Sequence, residues 1–318
     1  MPAGLFAVLQ SWQTVLVTGA DAKDFMQRLT TADFKRLMPG QFTPATLLAP
    51  NGKIVVYFKV LQLEARKYLL LVPPQDGAGE PAQLVFDALE RMHFRESLTI
   101  TPQKGEWTYL RVLGETELPT ALAPNTFKEN ETGEIWINEN RWNIVSARAI
   151  GPHDSGLRFD FGVLLSAARL SPVTDALKKN GYQKVENLEF FRVKAKDPAS
   201  PQEINTAVMP LELMLDDAVH ENKGCYPGQE VIERIRAIGQ PPRILVGLHG
   251  QGALPQTGAK ILSSDKEVGF LTSASHDLQQ KDGWIGLGLI RRVSLQTDAA
   301  FTVDGQNITV ETKTQTKA

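Results

Sequence analysis

The sequence predicts an α+β protein: two helix-backed antiparallel-sheet units followed by a small antiparallel β-barrel. Three observations carry this. Short apolar, strand-like runs separated by turn residues alternate with two amphipathic helical stripes before about residue 104. A second set of strand-like runs, with one well-marked helix, extends to about residue 241. After Gly239-Gln240-Pro241-Pro242 the composition shifts to glycine-dense runs at 244–248, 259–262, 268–273 and 285–290, the pattern of a small barrel. The expected units are therefore 1–104, 105–241 and 242–318.

In the first unit, Val15-Leu16-Val17 reads as a strand leading through Thr18-Gly19-Ala20-Asp21 into a helix. Asp21 is the expected N-cap, and Ala22, Phe25, Met26 and Leu29 repeat at helical spacing on one face. Leu47-Leu48-Ala49, Pro50-Asn51-Gly52 and residues 53–63 read as a hairpin, with Asn-Gly expected to form a two-residue turn. Residues 64–67 turn into a third strand at 68–72, Leu84, Val85, Ala88, Leu89 and Met92 stripe a second helix, and 98–101 is a strand. In the second unit, 107–112, 135–138 and 142–147 read as strands, and 115–123 as a short helix broken by Pro119. Ser171-Pro172 carries the marks of a helix start, with Gly181 as its stop, and 186–196 reads as helical.

Composition bounds the function. The chain has 318 residues, 42% hydrophobic and 22% charged, an ordinary globular balance, and a formal net charge of −2. No global basic field recruits nucleic acid, so direct nucleic-acid binding is not expected. No apolar run reaches the ~20 residues of a membrane span, and residues 1–10 lack signal-peptide character, so a cytoplasmic location is expected. A single cysteine excludes an intrachain disulfide framework and a multi-cysteine zinc or iron–sulfur site. There is no Walker A loop, no Gly-x-Ser-x-Gly elbow and no His-Glu-x-x-His.

That cysteine lies in Lys223-Gly224-Cys225-Tyr226-Pro227-Gly228-Gln229-Glu230. Pro227 suits the first position of a helix, and two glycines permit a sharp turn or a close approach. A helix starting there aims free N–H groups at Cys225, beside Lys223, and both effects favour a thiolate. The residues alone leave two readings open at about even weight: a buried small hydrophobe, or a functional thiol. His220, five residues earlier, is open between a general base for that thiol and a solvent-facing histidine.

The octapeptide resembles the signature of the YgfZ proteins, folate-binding relatives of the glycine-cleavage T-protein (aminomethyltransferase), and of the related mitochondrial iron–sulfur assembly factors. Thr18-Gly19-Ala20-Asp21, Gln27, Thr31-Ala32-Asp33, Pro39-Gly40-Gln41, Met209-Pro210-Leu211-Glu212 and Gly286-Leu287-Gly288 extend the resemblance over most of the chain. It implies an aminomethyltransferase-like folate-binding fold. It implies a tetrahydrofolate ligand held by Trp12, Arg192, Lys223, Tyr226, Gln229 and Glu230, and Cys225 as the functional thiol, a transient iron–sulfur ligand. It implies partners among iron–sulfur assembly proteins and iron–sulfur tRNA-modifying enzymes. The chain departs from the pattern in two ways. No carboxylate occurs between Gly52 and Leu63, where T-proteins carry a catalytic aspartate, so the resemblance leans away from enzymatic transfer. The Arg-x-Glu-x-Gly stretch reads Arg192-Val193-Lys194-Ala195-Lys196, and Leu188 stands near a second tryptophan's place. The rival readings are a folate-dependent aminomethyl transferase and a folate-free adaptor on the same scaffold.

Overall fold

The computed structural model of the chain describes residues 4–75, 79–114, 134–138, 159–186, 188–296 and 300–312; the expected helix at 115–123 and strand at 142–147 lie outside them. Two five-stranded sheets and a closed six-stranded barrel make up the β-structure of the described residues. The first sheet has the order β3-β4-β5-β2-β6: Phe42–Leu48, Ile54–Glu64, Lys67–Val72, Gln13–Gly19 and Leu98–Gln103, antiparallel throughout. The second has the order β10-β1-β7-β9-β8: Tyr182–Lys184, Gly4–Leu9, Trp107–Gly114, Phe159–Ser166 and Glu134–Asn138. Strand β1, which the sequence did not signal, lies inside this second sheet, parallel to β10 and antiparallel to β7.

The two sheets lie face to face, and the sequence sets which side chains meet. Successive strand residues point to opposite faces. On β5, Tyr68, Leu70 and Val72 face α1 (Ala22–Leu29) and α2 (Pro81–Glu90), while Leu69 and Leu71 face the second sheet. On β9, Val163 and Leu165 face α3 (Ala167–Lys179), and Leu164 faces the first sheet. The layers therefore run helix, sheet, sheet, helix. The central strands are apolar on both faces, which is why they read as continuous runs rather than as alternation.

The barrel strands β11 (Arg243–Gln251), β12 (Lys260–Ser263), β13 (Lys266–His276), β14 (Gly283–Arg291), β15 (Phe301–Val303) and β16 (Gln306–Glu311) close in the order β11-β14-β13-β12-β15-β16. The four expected runs are all strands. The closing hairpin β15–β16 was missed, although Asp304 and Gly305, both at positive φ, mark its tight turn.

Three local expectations are corrected. Asp21 sits at the N-cap but makes no capping bond; its Oδ2 accepts from the Ser97 amide instead, tying α1 to β6. The Asn51-Gly52 turn is not a two-residue loop. Gly52 N–H donates to Ala49 O, and Ala49 N–H to Lys53 O, so a three-residue loop ends in Gly52 at φ 77°. Helix α3 starts at Ala167 rather than Ser171, with Pro172 inside its second turn.

Between α4 (Glu189–Lys194) and the barrel runs an irregular segment containing two 3-10 turns, Pro210–Leu213 and Asp216–Ala218, and then α5 (Gln229–Ile238). Leu48, Ile54 and Tyr57 of the first hairpin, Phe190 and Val193 of α4, Tyr226, Ile232 of α5, and Leu245, Ile285, Leu287 and Leu289 of the barrel share one core. All three units meet there.

Gly228 makes that meeting close. It has φ 79°, and a Cβ would lie 2.6 Å from Ala49 O in the β3–β4 turn. Gly224 has φ 97° with open space around it. Gly228→Ala is expected to destabilise the protein by about 2–4 kcal/mol, from left-handed strain plus a backbone collision. Gly224→Ala is expected to cost only the strain, about 1–2 kcal/mol. Urea unfolding of the two variants checks the difference.

Candidate functional site

The octapeptide does not form a buried plug. Helix α5 begins at Gln229 with Gly228 as its N-cap, so Pro227 precedes the helix rather than opening it. Gln229 is half-buried and its N–H donates to Tyr226 O at 3.2 Å; Glu230 is exposed in the first turn. Cys225 is an exposed free thiol between Gly224 and the buried Tyr226. The exposed position removes the buried-hydrophobe reading of that cysteine.

Lys223 is what holds the loop. Its side chain is buried, and Nζ donates to the carbonyls of Gln27 and Thr30 at the C-terminal end of α1. Those carbonyls have no partner within the helix, and a cation suits the negative end of its dipole. Nζ also lies 4.9 Å from the centroid of the Tyr226 ring. Burial pushes the Lys223 ammonium down to about 8, with Asp33 and Cys225 pulling in the opposite direction. The contact is reciprocated. Gln27 Nε2 donates to Lys223 O, and Gln27 Oε1 accepts from Lys35 N–H at 3.1 Å.

The approach to the loop is pinned in the same way. Thr31 Oγ1 donates to Ala218 O, and His220 N–H donates to Thr31 O at 3.0 Å. His220 Nδ1 accepts from the Asp33 amide at 3.3 Å. Burial lowers the His220 pKa, opposed by Asp33, and the acceptor role of Nδ1 fits the neutral ring. His220 makes no hydrogen bond to Cys225 among the described residues, so the base reading gains nothing from the geometry. The Tyr226 hydroxyl is buried without a hydrogen-bond partner among the described residues, and burial raises its pKa to about 12.

Arg192 lies elsewhere, at the junction of α4 and the barrel. Nε and Nη2 reach the two Glu189 oxygens, Nη1 reaches Asp197 O at 2.8 Å and Glu203 Oε2 at 3.0 Å, and Nη2 also reaches Ser273 Oγ at 2.7 Å. All five guanidinium N–H donors are thus committed to protein acceptors. With these partners Arg192 fastens the barrel to α4. Ser273 completes the network by donating to Glu203 Oε1 at 2.6 Å. Lys194 Nζ donates to Gln279 of the barrel at 2.7 Å, and Leu188 packs against Leu113. Lys196 adopts φ 54°, a conformation that suits the glycine expected there, and pairs with Glu311 of β16 at 2.6 Å.

Trp12 lies in the layer between the two sheets, its ring 4.8 Å from that of Tyr109. Lys59 Nζ lies 5.5 Å from the ring centroids of both Trp12 and Phe42. Trp12 also lines a cavity of about 200 Å³, together with Trp107, Gln13, Glu80 and Lys104. Sequence reasoning missed the groups that build these places: Lys59, Glu203 and Ser273 carry no local pattern that marks them. Among the described residues, no group of three or more His, Cys, Asp or Glu is placed to hold a metal ion, and no helix is long and apolar enough to cross a membrane.

Comparison with known proteins fits this architecture. Residues 243–317 match the family model of the CAF17 C-terminal beta-barrel domain. The C-terminal barrel is thus similar to that of the CAF17 proteins. The crystal structure of the glycine cleavage system aminomethyltransferase T from Bartonella henselae superposes with a TM-score of 0.76 at 17% identity, covering 98% of this chain and 86% of that one. The chain therefore has the aminomethyltransferase fold. It is also 25% identical over 301 residues to the aminomethyltransferase of Halalkalibacterium halodurans, covering 91% of this chain and 79% of that protein. It is 25% identical over 297 residues to the aminomethyltransferase of Geobacillus thermodenitrificans, with the same coverage of 91% and 79%.

Two outcomes follow for this site. Arg192→Ala leaves the fully buried Glu203 carboxylate without its cation. It is expected to lower unfolding free energy by about 3–5 kcal/mol, measured by chemical denaturation. Lys223 has a folded pKa of about 8 against 10.5 unfolded, so between those values the unfolded chain holds more protons. Its contribution to stability therefore rises as pH rises from about 8 toward 10.5. Tyr226, with its folded pKa raised to about 12 from 10.0, acts in the opposite direction above pH 10. Unfolding curves between pH 8 and 10 should show the rise in the native protein and its loss in Lys223→Met.

Proposed function

We propose that this YgfZ-like protein binds a folate and supports iron–sulfur cluster assembly or repair, and through iron–sulfur enzymes tRNA modification, with Cys225 as its functional thiol. The observation that carries the reading is the build of the signature loop. A buried lysine, two left-handed glycines and a buried tyrosine hold an exposed cysteine at a fixed place on the surface. A core-packing role does not require an exposed thiol. One cysteine cannot hold a cluster, so a partner protein, a second copy or small thiols complete the ligand set. The clients are iron–sulfur assembly or iron–sulfur tRNA-modifying proteins, and the compartment is the cytoplasm.

Tetrahydrofolate or a derivative is the proposed ligand. The residues fit it in part. Trp12 and Trp107 offer aromatic surface to a cavity of about 200 Å³, below the ~300–1,000 Å³ of a drug-sized site, so it takes one ring system rather than a whole folate. Trp12 is the principal contact. Lys223 and Tyr226 act on the ligand only through the placement of the loop, whereas Gln229 and Glu230 are on its accessible side. The second reading, a folate-dependent aminomethyl transferase, is favoured by the named activity of the relatives. It is disfavoured by the absence of a carboxylate on β4 between Ile54 and Leu63.

Tetrahydrofolate titration against intrinsic tryptophan fluorescence tests the proposal. Saturable quenching is expected, largely lost in Trp12→Phe and retained in Cys225→Ala. The absence of quenching in the native protein sinks the folate reading and leaves the thiol adaptor, testable by complementation with Cys225→Ala. Sustained one-carbon turnover would establish the transferase instead.

A further inference from the structure

The cavity beside Trp12 contains a carboxylate that nothing above uses. Glu80 occupies the residue before α2, with extended backbone, and Pro81 opens the helix. A side chain at that position ordinarily accepts a hydrogen bond from the first-turn N–H groups. Glu80 makes no such bond. Gln13 of β2 does the capping, its Oε1 accepting from Ala82 N–H at 2.9 Å. The Glu80 carboxylate is left to line the cavity, where its partner is Lys104, from the turn between β6 and β7. Both side chains are more than half exposed, at 51% and 60%. An ion pair so exposed is worth about 0–1 kcal/mol, and a ligand opens it at little cost.

We infer that Glu80 reads the N–H donor edge of a 2-amino-4-oxo-pyrimidine ring, as in a pterin, seated between Trp12 and Trp107; this rests on the folate reading of the same cavity. The walls match such a ring in kind. Two indoles offer flat aromatic surface, and the carboxylate accepts from the ring N–H and the exocyclic amine as paired, charge-assisted hydrogen bonds. The Nε2 of Gln13 is a donor for the ring oxygen. Lys194, which stands where the resemblance expects a carboxylate, is held by Gln279 and offers only donors. Glu80 supplies the missing chemistry from another element. Guanine presents the same donor edge, so the inference fixes the edge and leaves the ring's source to experiment.

The test is equilibrium binding, followed by tryptophan fluorescence and checked by calorimetry, of tetrahydrofolate, 6-methylpterin, p-aminobenzoylglutamate and guanosine. The proteins are the native chain, Glu80→Gln, Lys104→Met and Trp12→Phe. Circular dichroism melts establish that the variants are folded, as the exposure of both side chains leads one to expect. The native chain is expected to bind tetrahydrofolate and 6-methylpterin. Glu80→Gln is expected to weaken both at least about tenfold, the loss of one charged hydrogen-bond acceptor, without changing the response to p-aminobenzoylglutamate. Lys104→Met, which frees the carboxylate, is expected to bind at least as tightly as the native chain. Guanosine competing through Glu80 would support the edge assignment and name guanine as a second source of it. Native-like pterin affinity in Glu80→Gln, with Trp12→Phe still impaired, would overturn the inference alone. No binding of any of these rings by the native chain would overturn it together with the folate reading.

Discussion

The contact on which the site depends is the insertion of the Lys223 ammonium into the C-terminal end of α1. Three separate physical requirements are met by one group. The last carbonyls of a helix need donors, the negative dipole end favours a cation, and a buried ammonium needs acceptors and a polarisable face. Remove the ammonium and the carbonyls of Gln27 and Thr30 lose their donor. Remove the helix end and the lysine becomes an uncompensated buried charge. The signature loop is thus not an independent appendage. It is the missing cap of a helix in another unit, and the side chains of Lys223 and Tyr226, on either side of Gly224-Cys225, are buried while Cys225 is exposed.

The second organising feature is a set of polar contacts between units. Arg192, Lys194 and Lys196 all end on barrel residues: Ser273, Gln279 and Glu311. A buried pair between Glu212 and Arg243, with Arg243 Nε 2.7 Å from Glu212 Oε1, joins the segment before the signature to the first barrel strand. Hydrogen-bonded charge pairs of this kind fix geometry more than they add stability. The barrel is therefore held at one orientation against the sheet units, and the core that the three share is filled by Phe190, Val193, Leu211 and the barrel's leucines.

Much of the fold was legible in the chain because its signals are local. Strands β2 to β6, helices α1 and α2 and four barrel strands follow from apolar runs, helical spacing and turn residues. What was not legible is what distance along the chain conceals. The assignment of β1 to the second sheet depends on partners at Trp107–Gly114 and Tyr182–Lys184, and nothing in Gly4–Leu9 names them. The start of α3 was misplaced because Ser171-Pro172 resembles a cap, while the real start is set by the end of β9 at Ser166. At the site, the octapeptide stood out by composition and by resemblance. Gln27 did not, because a single glutamine on a helix says nothing until Lys223 is beside it. The protein acceptors of Arg192, Glu203 and Ser273, were not legible either, because they are contributed by a polar loop and a barrel strand that sequence reading could not bring together.

The place of β1 bears on how the chain comes into being. It emerges from the ribosome well before the strands that flank it: β7 and β10 follow roughly 100 and 180 residues later, a delay on the order of ten seconds or more at ordinary synthesis rates. The first sheet, built from residues close together in sequence apart from β6, can assemble in that interval with its own helices. Its other face, Leu69 and Leu71 among others, stays uncovered until the second sheet arrives. The second sheet cannot be completed until Tyr182–Lys184 is available to flank β1. In the order of synthesis β1 thus waits for both of its neighbours, and the apolar face of the first sheet waits for the second sheet that β1 helps to build.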